Sequence, residues 1–232
     1  MKNRTHDEVV TDILFNHFLK EVRARAEEFS SGNDKKQKKQ FIEELNKIGY
    51  NFEDFELLSV LNITDERMLP IVEKYLYNFD NLGISVRLLK LISIKGFKEA
   101  ARLNIKFYEF LKKHGEKYKY LIDSIDQNLW RIKDKSYMEI YKKWFDNIED
   151  HMNMDSTVGM YVRWNKRDPE IREKLIEYLQ SGDRAKKNAA LNDLPLFGDK
   201  TMVEYVKPLL ENASQGEAKF YNEIIGKLNK LK

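Results

Sequence analysis

The stretch 168–231 reads DPEIREKLIEYLQSGD (168–183), RAKKNAALNDLPLFGDK (184–200), TMVEYVKPLLENASQGE (201–217) and AKFYNEIIGKLNKL (218–231). Each block has the length of one helix and carries its own start signal. Asp168 precedes Pro169, an acceptor side chain at the cap and a proline in the first turn, where its missing N–H is not needed. Ile171, Leu175, Ile176 and Leu179 then recur at helical spacing. Asp183 caps the second block, whose Ala185, Ala189, Ala190, Leu191 and Leu194 give a small-residue face against which another helix can nest. Thr201 opens the third block, and Ser214 with Glu217 has the spacing of a capping box. Helices of this length joined by short polar turns predict helical hairpins.

The same reading extends toward the N-terminus. Four prolines and ten glycines in 232 residues, with few alternating β-branched runs, point to helix throughout. Thr5 and Glu8 form a capping box before a long apolar-periodic helix over 5–29, and SSGNDKK (30–36) reads as its polar stop. Further helices carry Phe41, Ile42, Leu45 and Ile48, ending at Gly49, then Phe55 and Leu58, and then Met68, Leu69, Val72 and Leu76 after Thr64 and Asp65. ISVRLLKLISI (84–94) is apolar on most sides and predicts a buried helix. Ser136 with Glu139 reads as another capping box, DHMNMD (150–155) as a polar loop, and Ser156 or Thr157 as the start of a helix ending before Asp168. The total is roughly 12–13 helices with short connections. Met68, Leu69, Val72 and Leu76 are echoed in phase by Met202, Val203, Val206 and Leu210, with a repeat length near ~40 residues.

Composition sets limits on function. Without cysteine there is no disulfide, no thiolate nucleophile and no cysteine-ligated zinc, which fits a reducing compartment and gives a cytoplasmic expectation. No run approaches the ~20 apolar residues that cross a bilayer, and charges break the first twenty residues, so no membrane partner and no export signal are expected. The 41 basic and 38 acidic side chains nearly balance, so charge argues for a nucleic-acid partner only if it is segregated on one face.

Asp168-Pro169, the turn Ser181 to Asp183, Arg184, Ala189, Leu191, Leu194, Gly198-Asp199 and Leu209-Leu210 together resemble a HEAT repeat. The likeness covers about one and a half repeats and is looser over 65–110, while aromatic-rich 118–154 departs from it. It implies an all-α, right-handed α-α superhelix of stacked hairpins with a concave face that binds macromolecules. The expected organisation is one domain over 1–232, with irregular helices in 1–62 and HEAT-like hairpins in 63–232. One branch of similar architecture, the HEAT-like alkylpurine DNA glycosylases, implies tryptophans, an aspartate and basic residues in the concave cleft. Trp130, Trp144 and Trp164 with Asp134, Arg131, Arg163, Lys166 and Arg167 offer those residue types, although that branch's paired-tryptophan-then-aspartate motif is absent.

No catalytic constellation stands out. There is no phosphate-binding glycine loop, no Gly-x-Ser-x-Gly and no His-Glu-x-x-His. His151 and Asp155 are four apart but make a poor metal site at an expected loop, and no metal or cofactor is expected. The leading expectation is therefore a non-catalytic module recognising a protein on a concave surface that its many tyrosines would suit. The alternative is a nucleic-acid binder or base-excision enzyme. Candidate contact residues are Trp130, Trp144, Tyr161, Arg163, Trp164, Arg167, Arg184 and Lys187. Basic clusters at 35–39, 112–119 and 184–187 are further candidates, weighed against mixed-charge solvated surface.

Overall fold

A computed structural model describes residue 20 and residues 30–61, 63–115 and 118–231. The helix expected over 5–29, with His6 and His17, lies outside these residues. The described chain is all-α: thirteen α-helices and three short 3₁₀ turns, with no strand among the described residues. None of these helices is long and apolar enough to cross a membrane. The backbone forms two compact units, 1–106 and 107–232.

The first unit contains α1 (Gly32–Lys47), α2 (Glu56–Leu61), α3 (Leu69–Tyr75), α4 (Leu82–Leu91) and the start of α5 (Lys98–Lys113). The polar run at 30–36 does not stop a helix. It starts α1, because Ser31 Oγ accepts from Asp34 N at 3.0 Å while Asp34 takes the Ser31 N–H at 3.3 Å, a reciprocal cap with aspartate in place of glutamate. Asp34 is 1 % exposed, and its other oxygen accepts from Asp80 N at 2.8 Å, which pins the entry of α4. Phe41 contacts Phe55 and Tyr75 edge-on, both at 5.6 Å, at the centre of this core. As the apolar run predicts, α4 buries Ile84, Val86, Leu88, Leu89 and Leu91.

The second unit holds the remainder of α5, then α6 (Lys119–Ile132), α7 (Met138–Asp146), α8 (Ile148–Asn153), α9 (Asp155–Trp164), α10 (Pro169–Gln180), α11 (Arg184–Phe197), α12 (Val203–Val206) and α13 (Gln215–Asn229). Asp168, Asp183 and Ser214 cap α10, α11 and α13 as their positions predict, with the full reciprocal box at Ser214 and Glu217. The box expected at Ser136 and Glu139 does not form. Asp134 Oδ1 takes the Ser136 N–H at 2.9 Å, and α7 starts two residues later with no side-chain cap. The single helix expected from Thr201 is broken into a 3₁₀ turn, α12 and a second 3₁₀ turn, because Pro208 cannot supply the N–H that would continue the ladder. The echo between Met68 and Met202 is real at this level. Asp65 and Asp199 each cap a 3₁₀ turn that delivers a fully buried methionine into a short helix.

DHMNMD is helix, not loop. Asn147 caps it by accepting from Glu149 N and Asp150 N, so α8 spans most of it. Asp150 and His151 are buried there, Asp150 accepting from Tyr108 Oη and Lys112 Nζ. Around α8 sits an aromatic core of Tyr108, Tyr141, Trp144, Phe145 and Tyr178. The Tyr178 hydroxyl closes the end of α7, 3.1 Å from Phe145 O and 2.9 Å from Asp146 O.

Candidate functional site

Two side chains of α6 set its register against α9. Asp126 on α6 accepts from Ser156 N at 2.9 Å, Thr157 N at 2.8 Å and Thr157 Oγ1 at 2.6 Å, while Gln127 donates to Ser156 Oγ at 3.1 Å. An acid from a neighbouring helix thus performs the capping that Met154, the local cap residue, cannot. One turn beyond Gln127 stands Trp130, 44 % exposed. On the other side, α11 approaches α9 closely at Gly159, where an added Cβ would lie 2.7 Å from Leu196 Cδ1.

Between these three helices runs an open groove of about 640 Å³. Trp130 and Lys133 come from the end of α6, Asp155, Ser156, Gly159, Met160, Arg163 and Trp164 from α9, Lys166 from the following turn, and Asn192, Asp193 and Leu196 from α11. The Lys133 ammonium sits 4.6 Å from the Trp130 ring centre, and Lys135 lies 5.2 Å from that of Trp164. Lys166 passes the end of α11, where a Cβ at Gly198 would be 3.6 Å from its Cε, so its charge faces the negative end of that helix. Lys133, Arg163 and Lys166 are exposed, and none of them is in an ion pair among the described residues.

Two non-glycine residues adopt positive φ among the described residues, Lys133 at 52° and Arg167 at 69°. Each follows a groove tryptophan by three positions, Trp130 and Trp164, where the helix ends. Glycine would take this conformation without the steric penalty a Cβ brings. A basic side chain stands at both places instead, and backbone strain of this kind clusters at functional sites.

The acids of the groove have distinct environments. Asp193 is 1 % exposed, with Oδ2 2.8 Å from Nε2 of the fully buried His151. That approach is poorly aligned for a hydrogen bond, so packing holds the pair more than a good N–H···O geometry does. Burial pushes the Asp193 carboxyl above its ordinary range, against the opposing pull of His151. Asp155 is exposed at the groove wall. Protein packed around it, together with the charges of Asp193 and Asp126, still raises its carboxyl above the usual range. Asp126 is raised by burial, against its hydrogen bonds from Thr157 and Ser156.

Of the residues singled out in the sequence, Trp130, Arg163, Trp164 and Lys166 come together in the groove. Trp144 and Tyr161 lie in the core at 1 % and 6 % exposure, because large aromatics at helical spacing on α7 and α9 are what fills the space around Phe145. Tyr141, Tyr178 and Tyr221 are buried as well, whereas Tyr120 is exposed and Tyr118, Tyr137 and Tyr205 are half-buried. Arg167 is exposed outside the groove lining. Arg184 pairs with Glu217 at 3.5 Å and Lys187 is half-buried nearby on α11. Asp134 is buried in its turn beside the groove. The other basic clusters also place cations in ion pairs, Lys38 with Glu56 at 2.8 Å and Lys112 with Asp150. Asp193 and Lys133 carry no motif in the sequence, and only helix packing brings them to the site. The His151 and Asp155 pairing fails as a metal site because His151 points inward to Asp193 while Asp155 faces the groove. Among the described residues no cluster of three metal-ligating side chains exists. Comparison with protein-family models, curated proteins and solved structures finds no match.

Proposed function

We propose that this chain is a non-catalytic binding module of HEAT-like helical hairpins that holds a single strand of nucleic acid in the groove between α6, α9 and α11. The observation that carries the reading is the convergence of Trp130 and Trp164 with Lys133, Arg163 and Lys166, three cations without an ion pair among the described residues, in one open groove. An exposed indole offers a face to an unstacked base, worth about 1–3 kcal/mol per base, and cations beside it neutralise the neighbouring phosphates. A duplex keeps its base faces stacked, so the tryptophans favour a single strand.

The test is a titration of a fluorescent ten-nucleotide single strand at about 50 and 200 mM salt. Release of ~0.7 counterions per phosphate at three cations gives a salt slope near −2, a loss of ~20-fold in affinity between the two conditions. No binding at the lower salt, or binding indifferent to salt, would rule the reading out.

A further inference from the structure

We infer that Asp155 makes the groove selective for guanine. This rests on the nucleic-acid reading above and concerns which base is taken. Most polar side chains that line the groove are either donors only or already engaged. Lys133, Arg163 and Lys166 cannot accept a hydrogen bond. Ser156 Oγ takes the Gln127 amide at 3.1 Å, and its backbone N–H is committed to Asp126. Asp193 is buried with one oxygen against His151. Asn192 presents a mixed amide. Asp155 alone offers two acceptor oxygens side by side, exposed at the wall and without an ion pair or hydrogen bond among the described residues.

Its position suits base readout. Asp155 is adjacent to Ser156, which Gln127 of α6 holds, and Trp130 stands one turn further along α6. The indole and the carboxylate both line the groove. A base on the indole would turn its Watson–Crick edge to the surroundings, the edge that proteins read in single strands. Guanine presents two adjacent donors there, N1–H and the N2 amino group, which match two carboxylate oxygens. Adenine and cytosine each place a ring acceptor next to their amino group, and uracil flanks N3–H with carbonyls, so each sets an acceptor against Asp155. The cations remain for phosphates, which position a strand without reading its sequence.

The experiment uses seven-nucleotide strands, six uridines around a variable central base, with matching thymidine strands to separate ribose from deoxyribose recognition. Affinities are read by anisotropy at about 50 mM salt. The parent is expected to bind the central-guanine strand ~10-fold more tightly than the other three, within the range of a bidentate base contact. In Asp155→Asn the amide offers one acceptor and one donor, so the guanine preference should vanish while the adenine and cytosine strands gain. Asp155→Ala should bind all four strands equally at near the parent's affinity for uridine. Far-UV circular dichroism of both variants checks that the helices persist. Equal binding of the four strands by the parent, or a guanine preference that survives in Asp155→Asn, overturns the selectivity and leaves the groove standing. No binding of any strand overturns both.

Discussion

Replacing Asp126 by alanine tests the linkage that builds the groove. The carboxylate is 4 % exposed and receives the Ser156 N–H, the Thr157 N–H and the Thr157 hydroxyl. Thr157 is fully buried, so its N–H would be left without a partner, at about 1–3 kcal/mol. Loss of a helix cap adds roughly 1 kcal/mol, since Met154 offers no substitute. The Ser156 N–H is half-exposed and water can take it over. The expected loss is about 3 kcal/mol, or roughly 6–12 °C in Tm for a chain of this size. Urea unfolding followed by circular dichroism would read it as a lower midpoint at unchanged slope. Asp126→Asn, which keeps one acceptor, should lose about half as much. Protonation gives a further signature. Burial raises the folded Asp126 carboxyl above its unfolded value, so its contribution is fully present below the unfolded pKa and declines as pH rises through the folded one. The alanine variant lacks that decline, so its deficit should be larger in acid than at neutral pH. An unfolding free energy within about 0.5 kcal/mol of the parent would refute the capping role.

Three other outcomes follow from the same geometry. Trp130→Ala should weaken strand binding by about 1–3 kcal/mol with little change in Tm, whereas Trp144→Ala, at a site 1 % exposed, should lose about 3–5 kcal/mol of stability. Paired binding and melting curves would expose a reversal of these roles. Lys133→Ala, Arg163→Ala and Lys166→Ala should each reduce the salt slope by about 0.7, and a slope unchanged in all three would remove the phosphate contacts. Tyr108→Phe deletes a buried hydroxyl donor to Asp150, at about 1–3 kcal/mol in thermal unfolding, and a neutral effect would contradict that bond.

Local signals in the chain were legible where one residue decides the outcome. Asp168 with Pro169, Asp183, and Ser214 with Glu217 each needed only neighbours within four positions, and all three cap as their spacing implies. Misreadings arose where a second partner competed. Asp134 took the Ser136 N–H, and Pro208 interrupted a helix that apolar periodicity alone would continue. At 30–36 a polar run read as a stop concealed a cap, because aspartate stands where a capping box usually has glutamate or glutamine. The groove was half visible. Trp130, Arg163 and Trp164 stood out as residue types, but periodicity cannot say which of three tryptophans faces outward. Asp193 and Lys133 join them only through the packing of α11 and α6 on α9. Asp134 is buried in its turn, and the exposed acid of the groove is Asp155 on α9, which no sequence signal marks as facing Trp130.

Photo-crosslinking locates the bound strand most directly. A single strand carrying 5-bromouridine would be irradiated on the full chain and the adducts mapped by peptide mass spectrometry. Adducts on Trp130 or Trp164, competed away by unlabelled strand and absent after Trp130→Ala with Trp164→Ala, are the expected result. Specific adducts confined to residues 30–106, with none on the groove peptides, would contradict a strand held between α6, α9 and α11.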